Sequence, residues 1–259
     1  MATSLLFINL FMLGVVGGCL SGLLGIGGGI IMLPLLTTVP LLAGVPIPLR
    51  PAVGITMLQS LTGSISGILI HRKYRALDLP LAVSIGGSGA IGSLGGAVFS
   101  QALSERLIAI LFTMMALTSL LLLLIPEPTC PGTDESLSPR RYPASLLLGG
   151  GVGFLAGIIG QGGAFIILPL MIHVFKVPVR TAIGTTTGVA FFSAFGGFLG
   201  KWGTSQVPFL WGIAVSIGAL LGGQVGAILS HRLPTATLRR ILFVLVAFSA
   251  VRIFVQVLP

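Results

Sequence analysis

The chain is short of charged residues, and of acidic residues above all. Only 7% of its 259 residues are charged, with 5 Asp and Glu against 14 Lys and Arg, whereas 54% are hydrophobic and the mean hydropathy is +1.11. A soluble domain carries about 25% charged residues, so this composition excludes one. Runs of about 20 apolar residues follow one another, which is typical of a polytopic helical membrane protein. A transmembrane β-barrel would instead alternate polar and apolar residues.

Several kinds of chemistry are missing as well. No acid lies in the middle of an apolar run, which argues against a carboxylate proton relay; the acids are Asp78, Glu105, Glu127, Asp134 and Glu135. There is no P-loop, no Gly-x-Ser-x-Gly motif and no cluster of Cys and His. We therefore expect no enzyme activity, no catalytic residue, no metal and no cofactor. The basic residues flank apolar runs, so we also expect no nucleic-acid partner.

The apolar runs predict an all-α membrane protein in two halves. We expect helices over residues 5–24, 28–45, 52–70, 79–102 and 107–125, and again over 144–159, 164–175, 181–200, 209–230 and 238–258. Residues 46–51 are expected to form a loop. This divides the chain into an N-terminal transmembrane repeat at 1–125, a polar loop at 126–143 and a C-terminal transmembrane repeat at 144–259.

One stretch, residues 22–36, is too rich in glycine to be an ordinary membrane helix. Gly25, Gly27, Gly28 and Gly29 each cost roughly 1 kcal/mol in a helix interior, and Pro34 lacks a backbone donor. Broken backbone is tolerated in a membrane only where protein or a water-filled cavity covers it. The sequence therefore predicts a functional break, formed either by a re-entrant hairpin or by two short spans.

A second copy of this stretch, Gly-Ile-Ile-Gly-Gln-Gly-Gly-Ala-Phe-Ile-Ile-Leu-Pro-Leu-Met, covers residues 157–171. Gly157, where this copy begins, aligns with Gly22, where the first copy begins. The flanking segments match too, because the segment that begins at Arg50 aligns with the one that begins at Arg180. The spacing between the copies is nearly the same for both pairs, and such matching at an almost constant offset indicates an internal duplication.

The basic residues predict how the two repeats are oriented. If each broken segment crosses the membrane once, the 14 basic residues divide evenly between the two sides. If it doubles back, ten share one side: Arg72, Lys73, Arg75, Arg140, Arg141, Lys176, Arg180, Arg232, Arg239 and Arg240. The other four are Arg50, Arg106, Lys201 and Arg252. By the positive-inside rule this predicts inverted-topology repeats, with both termini outside and the 126–143 loop in the cytoplasm.

Inverted repeats with a broken helix in each half are a pattern of secondary transporters. The helix that follows each break begins with free N–H groups and the positive end of its dipole, which together favour an anion. Glycine also lets a ligand approach the backbone closely. The expected substrate-binding residues are Gly27, Gly28, Gly29, Gln161, Gly162 and Gly163, with Thr56, Gln59, Thr185 and Thr186 assisting from the neighbouring spans.

The duplicated motif Gly-x-x-Gly-x-Gly-Gly-[Gly/Ala], with proline five residues later, resembles the sulfite exporter TauE/SafE family of membrane permeases. This resemblance covers nearly the whole chain. It implies a bacterial inner-membrane transporter whose partners are the lipid bilayer and a small sulfur-containing anion, such as sulfite or an organosulfonate. The second copy has Gln161 and Ala164 where the first has Ile26 and Gly29, so we expect the two halves to be inequivalent at the site.

The residues leave three functional classes open. A secondary transporter explains the paired breaks, an anion channel would use the same helix ends, and a membrane subunit without transport activity would leave the breaks unexplained. The exact substrate, the direction of transport, the coupling ion and a possible homo-oligomer are not determined by the sequence.

Overall fold

The computed structural model describes residues 2–42, 47–126, 142–204 and 207–257, which form α-helices joined by short connections, without a strand. The first half contains α1 (Ala2–Leu24), α2 (Gly29–Leu42), α3 (Leu49–Lys73), α4 (Leu79–Phe99), a 3₁₀ turn (Ser100–Ala102) and α5 (Glu105–Leu124). The second contains α6 (Tyr142–Ile159), α7 (Ala164–His173), α8 (Val179–Gly203), α9 (Phe209–Arg232) and α10 (Thr235–Val257). Most of the loop expected at 126–143 lies outside the described residues.

Six of the described helices are long and apolar enough to cross a membrane: α1, α3, α4, α5, α8 and α9. The helices α2, α6 and α7 are shorter apolar segments. This architecture confirms the prediction of an all-α polytopic membrane protein.

The two helix breaks lie at the expected glycines and have the same backbone geometry. After α1 ends at Leu24, the φ angles of Gly25, Gly27 and Gly28 are +69°, +71° and +67°. After α6 ends, Gly160, Gly162 and Gly163 have φ angles of +84°, +66° and +69°. A side chain would be strained in this left-handed region, which explains why these six positions are glycine.

Each break turns the chain back on itself. Gly28 lies beside the Gly17 carbonyl and Ser21 of α1, so α2 returns along the helix that precedes it. Gly163 lies in the same way beside Val152 and Ala156 of α6. The two broken segments are therefore helical hairpins, α1–α2 and α6–α7, and this geometry matches the doubling-back alternative rather than a single crossing.

The two halves of the chain pack against each other through equivalent pairs of helices. Helix α1 lies along α9, with Gly14 against Val215 and Gly18 against Ala219, and α6 lies along α4, with Gly96 against Phe154. These contacts bring backbones together through small residues, which is how helices associate closely in lipid. Each hairpin is therefore held mainly by a helix of the other half.

The central helices α3 and α8 run in opposite directions. His71, near the end of α3, contacts His231 at the end of α9, and Arg180 at the start of α8 binds the carbonyl groups of His231 and Leu233. We call this side of the bundle the His71 end. At the other side, called the Lys201 end, Lys201 near the end of α8 binds Ser100. There Arg50, at the start of α3, binds the Leu103 carbonyl group.

One loop expectation was wrong. Helix α3 begins at Leu49, so Leu49, Arg50 and Pro51 are helical, whereas Pro46 lies outside the described residues. Proline is unfavourable in a helix interior, but Pro51 lies in the first turn, where its missing N–H would have no helical partner. Several other helices differ from expectation by a few residues: α8 starts at Val179 instead of 181, and α7 ends at His173 instead of 175.

Candidate functional site

The two glycine breaks meet between the midpoints of α3 and α8. Gly27 lies against the Ser60 hydroxyl, and a Cβ built on Gly162 would be 3.1 Å from the same Ser60 Oγ. A Cβ built on Gly27 would lie 3.6 Å from the Gln161 carbonyl oxygen. The two motifs, which lie in different halves of the sequence, thus contact one another at one point around Ser60.

Each hairpin also packs against the central helix of the other half. The Thr56 hydroxyl on α3 donates a 2.6 Å hydrogen bond to the carbonyl oxygen of Gly160, at the second break. At the first break, Gly25 lies against the Ile183 carbonyl of α8, and its built Cβ falls 3.0 Å from Thr186 Oγ1. Thr56 and Thr186 occupy equivalent positions of the two halves. In both halves, therefore, the central helix contacts the glycine break of the other half at the same place.

The starts of α2 and α7 are organised alike. The N–H groups of Ile31 and Met32 both donate to the Gly28 carbonyl, at 3.3 and 3.2 Å. In the second hairpin, Ile166 and Ile167 donate in the same way to Gly163, at 3.2 Å each. The N–H groups just before these bonds have no acceptor within the helix, and they lie at the positive end of the helix dipole.

Three polar side chains at this junction are fully buried without a hydrogen-bond partner among the described residues: Gln59, Ser60 and Gln161. A Cβ built on Gly28 would lie 2.6 Å from Gln59 Nε2, and one on Gly29 would lie 3.1 Å from Gln161 Cβ. Leaving a buried polar group unpaired costs about 1–3 kcal/mol. Three such groups beside two helix starts indicate a site built for a polar ligand.

The residues around the junction of the breaks differ between the two halves. When the repeats are aligned so that Arg50 matches Arg180, the equivalent of Ser60 is Ala190, and the equivalent of Gln59 is Val189. The polar side chains therefore come from α3 and the second hairpin, while α8 contributes backbone and small apolar groups.

The other expected residues lie around this junction in different roles. The Thr185 hydroxyl accepts a 3.0 Å hydrogen bond from the Asp78 N–H, which ties α8 to the start of α4. The Thr186 hydroxyl donates to the carbonyl groups of Ala182 and Ile183 in its own helix, at 2.7 and 3.1 Å. Gly163 faces α6.

Sequence reasoning overlooked or underrated three residues. Ser60 belongs to a row of hydroxyl-bearing residues at 56, 60 and 64, and this spacing was the signal that could have identified it. His71 and Lys201 occupy equivalent positions of the two repeats, near the ends of α3 and α8. A place near the end of an apolar run predicts a surface position, yet both are fully buried, and Lys201 Nζ donates to Ser100 Oγ at 2.9 Å.

Arg50 and Arg180 have a structural role in this arrangement. An Arg50 guanidinium nitrogen donates to the Leu103 carbonyl at 2.6 Å, and Arg180 donates to the Leu233 carbonyl at 3.2 Å. Both arginines thereby bind carbonyl groups just beyond α4 and α9. This contact favours an anchoring role for both arginines.

The junction is closed and uncharged. Thr56, Gln59, Ser60, Gln161 and Thr186 are all 0% exposed. Of the acids that the structure describes, Asp78 caps α4 and Glu105 lies in the first turn of α5, both at helix starts. The junction thus offers neutral N–H and O–H donors in a buried environment, where a hydrogen bond to a charged ligand is strong.

Apolar spans and two broken hairpins that meet between the midpoints of the central helices define a multi-pass membrane protein of the transporter class. The family model described as "Sulfite exporter TauE/SafE" matches residues 10–253, and the chain belongs to this family.

Curated relatives agree with this assignment. The probable membrane transporter protein YunE of Bacillus subtilis is 26% identical, over 90% of this chain and 91% of that protein. The probable membrane transporter protein YdhB of the same organism is 28% identical, over 95% and 97%. The probable membrane transporter protein MJ0441 of Methanocaldococcus jannaschii is 26% identical, over 86% and 83%. No solved structure matches the chain. The protein is therefore a membrane transport protein and not an enzyme.

Proposed function

We propose that the protein is a secondary transporter of a small anion, either sulfite or a small organosulfonate, which binds where the two glycine breaks meet. The observation that carries this proposal is the set of buried, unpartnered polar groups of Gln59, Ser60 and Gln161 beside two helix N-termini. The family's description, sulfite exporter, supports the choice of a sulfur oxyanion.

The ligand is bound by neutral donors. Oxygen atoms of the anion accept hydrogen bonds from the N–H groups at the starts of α2 and α7, from the Ser60 hydroxyl and from the amides of Gln59 and Gln161. Gly27 and Gly162 place no side chain between the anion and the backbone.

Transport proceeds by alternating access. The opposite directions of α3 and α8 support inverted-topology repeats, in which one repeat rocks against the other around a fixed site. The complete burial of the junction favours this mechanism over an anion channel, because a channel needs a continuous open path.

The His71 end faces the cytoplasm of a bacterial inner membrane, and both termini face outside. The basic residues that the structure describes support this orientation by the positive-inside rule. Those at the His71 end are Arg72, Lys73, Arg75, Lys176, Arg180, Arg232, Arg239 and Arg240. Those at the other end are Arg50, Arg106, Lys201 and Arg252.

Counterflow in proteoliposomes tests the proposal. Vesicles that contain the purified protein are loaded with unlabelled sulfite or sulfoacetate, and the uptake of the labelled anion is measured; sulfate and chloride serve as controls. We expect saturable exchange of one sulfur anion. Unsaturable flux that is equal for chloride would identify a channel, and no exchange of any sulfur anion would reject the substrate class.

A further inference from the structure

Secondary transport against a gradient uses a coupling ion, and the described spans have no carboxylate at mid-depth. The structure does contain a buried pair of histidines at the His71 end. His71 is 0% exposed, and its Nδ1 lies 3.1 Å from Nε2 of His231 on α9. Its other nitrogen, Nε2, lies 3.1 Å from the Gly22 carbonyl oxygen of α1. These contacts join three helices, two from the first half and one from the second.

The contacts fix where the hydrogens are. A carbonyl oxygen only accepts, so His71 carries a hydrogen on Nε2 and donates to Gly22. In its neutral form His71 then accepts at Nδ1, so His231 carries its own hydrogen on Nε2 and donates to His71. The pair forms a directed chain from His231, which is partly exposed, through the buried ring of His71 to the backbone of α1.

We propose that His71 and His231 form a proton-binding site that couples transport to a proton gradient. This inference rests on the transport function proposed above. A proton from the His71 end binds Nδ1 of His231, the hydrogen on Nε2 of His231 passes to Nδ1 of His71, and one extra proton remains on His71. His231 is again neutral, with its hydrogen now on Nδ1, and it accepts from His71. The hydrogen-bond chain is kept while the charge moves inward by one ring.

Gly22 links this site to the first break. Its carbonyl is among the last of α1, which have no helical donor because the helix ends at Leu24, and Gly25 follows three residues later. A charged His71 donates a stronger hydrogen bond to this carbonyl than a neutral one does. Proton binding therefore changes how firmly α3 holds the end of α1, and with it the hairpin that lines the anion site.

The charged groups around the histidine pair limit how many protons it binds. Helix α1 has no charged residue. On α8, the Arg180 guanidinium donates to the His231 carbonyl at 3.4 Å, so a fixed positive charge faces the pair and disfavours a second proton. Tyr74 stacks on His231 with ring centroids 4.1 Å apart. The remaining charged neighbours along the chain are Arg72, Lys73, Arg75, Asp78 and Arg232.

The test uses the full-length protein in proteoliposomes, with His71→Gln, His231→Gln and, as the matched control, His173→Gln. His173 is the third histidine; it lies near the same end, and among the described residues its ring nitrogens bind the carbonyl groups of Pro169 and Ile125. With one proton per anion, a gradient of about one pH unit should accumulate the anion about tenfold in the wild type and in His173→Gln. The two pair variants should keep counterflow but lose this accumulation.

Three results would overturn the proposal. The first is accumulation at the wild-type level in both pair variants. The second is parallel loss of counterflow and accumulation, which would show a structural role alone. A wild type that exchanges a sulfur anion but ignores the gradient would also reject the coupling, while the proposed function would stand.

A second measurement does not depend on the substrate. In protein labelled with ¹⁵N-histidine, imidazole NMR spectra should show that His71 and His231 titrate as a linked pair. In His71→Gln and His231→Gln, the titration of the partner histidine should change. In His173→Gln, the titration of both His71 and His231 should stay unchanged. Independent titration of the two rings would contradict a shared proton, even if the anion had been assigned wrongly.

Discussion

The Thr56 hydroxyl lies 2.6 Å from the carbonyl oxygen of Gly160 and donates a hydrogen bond to it. This bond connects the central helix of one repeat to the break of the other. Its counterpart is absent in the second half, where the Thr186 hydroxyl donates to carbonyl groups of its own helix. The two equivalent threonines therefore differ in what their removal costs.

Replacing these threonines by valine tests that difference. Thr56→Val leaves the Gly160 carbonyl without its donor in a buried place, and we expect a loss of about 1–3 kcal/mol in the free energy of unfolding. Thr186→Val removes only a bond to carbonyl groups within its own helix, and we expect less than about 1 kcal/mol. Thermal unfolding in detergent measures both; equal losses would contradict the role given to Thr56.

The sequence predicted the breaks because their cause is local. A cluster of glycines is unfavourable in a helix interior and adopts positive φ angles readily, as Gly25 and Gly160 do. The sequence also predicted that the segments turn back, because only that topology separates the basic residues unevenly.

The roles of Ser60 and His71 could not be predicted, because they depend on which distant helices pack together. Ser60 became central because two hairpins from distant parts of the chain converge on it. His71 is buried because α1 and α9 cover the end of α3. A residue near the end of an apolar run is ordinarily expected at the membrane surface, and nothing in its own neighbourhood distinguishes the two cases.

Two glycines of α4 should respond in opposite ways to alanine. A Cβ on Gly96 would run into the Phe154 carbonyl of α6, whereas Gly87 has open space around it. We expect Gly96→Ala to destabilise the protein by about 1–3 kcal/mol through forced separation of the helices. Gly87→Ala should stabilise it by about 0.5–1 kcal/mol. The melting temperatures of the two variants measure these changes in stability. A Gly96→Ala protein as stable as the wild type would contradict the close packing of α4 on α6.

Removing the Ser60 hydroxyl should weaken anion binding without unfolding the protein. Ser60→Ala deletes one donor at the meeting point of the breaks, and a hydrogen bond to a charged ligand contributes about 1.5–3 kcal/mol. We expect the half-saturation concentration for counterflow to rise about tenfold or more. Ser249→Ala on α10, which also removes a fully buried and unpartnered hydroxyl, is the matched control and should leave transport unchanged. Equal effects of the two variants would remove Ser60 from the site.

The most direct test of the central claim compares two glutamine variants in counterflow. Gln161→Leu removes an amide from the junction of the breaks, while Gln224→Leu removes one from the exposed face of α9. The claim predicts that Gln161→Leu folds but loses about 10- to 100-fold in affinity for the sulfur anion, and that Gln224→Leu behaves like the wild type. Wild-type affinity in Gln161→Leu would contradict an anion site at the paired breaks.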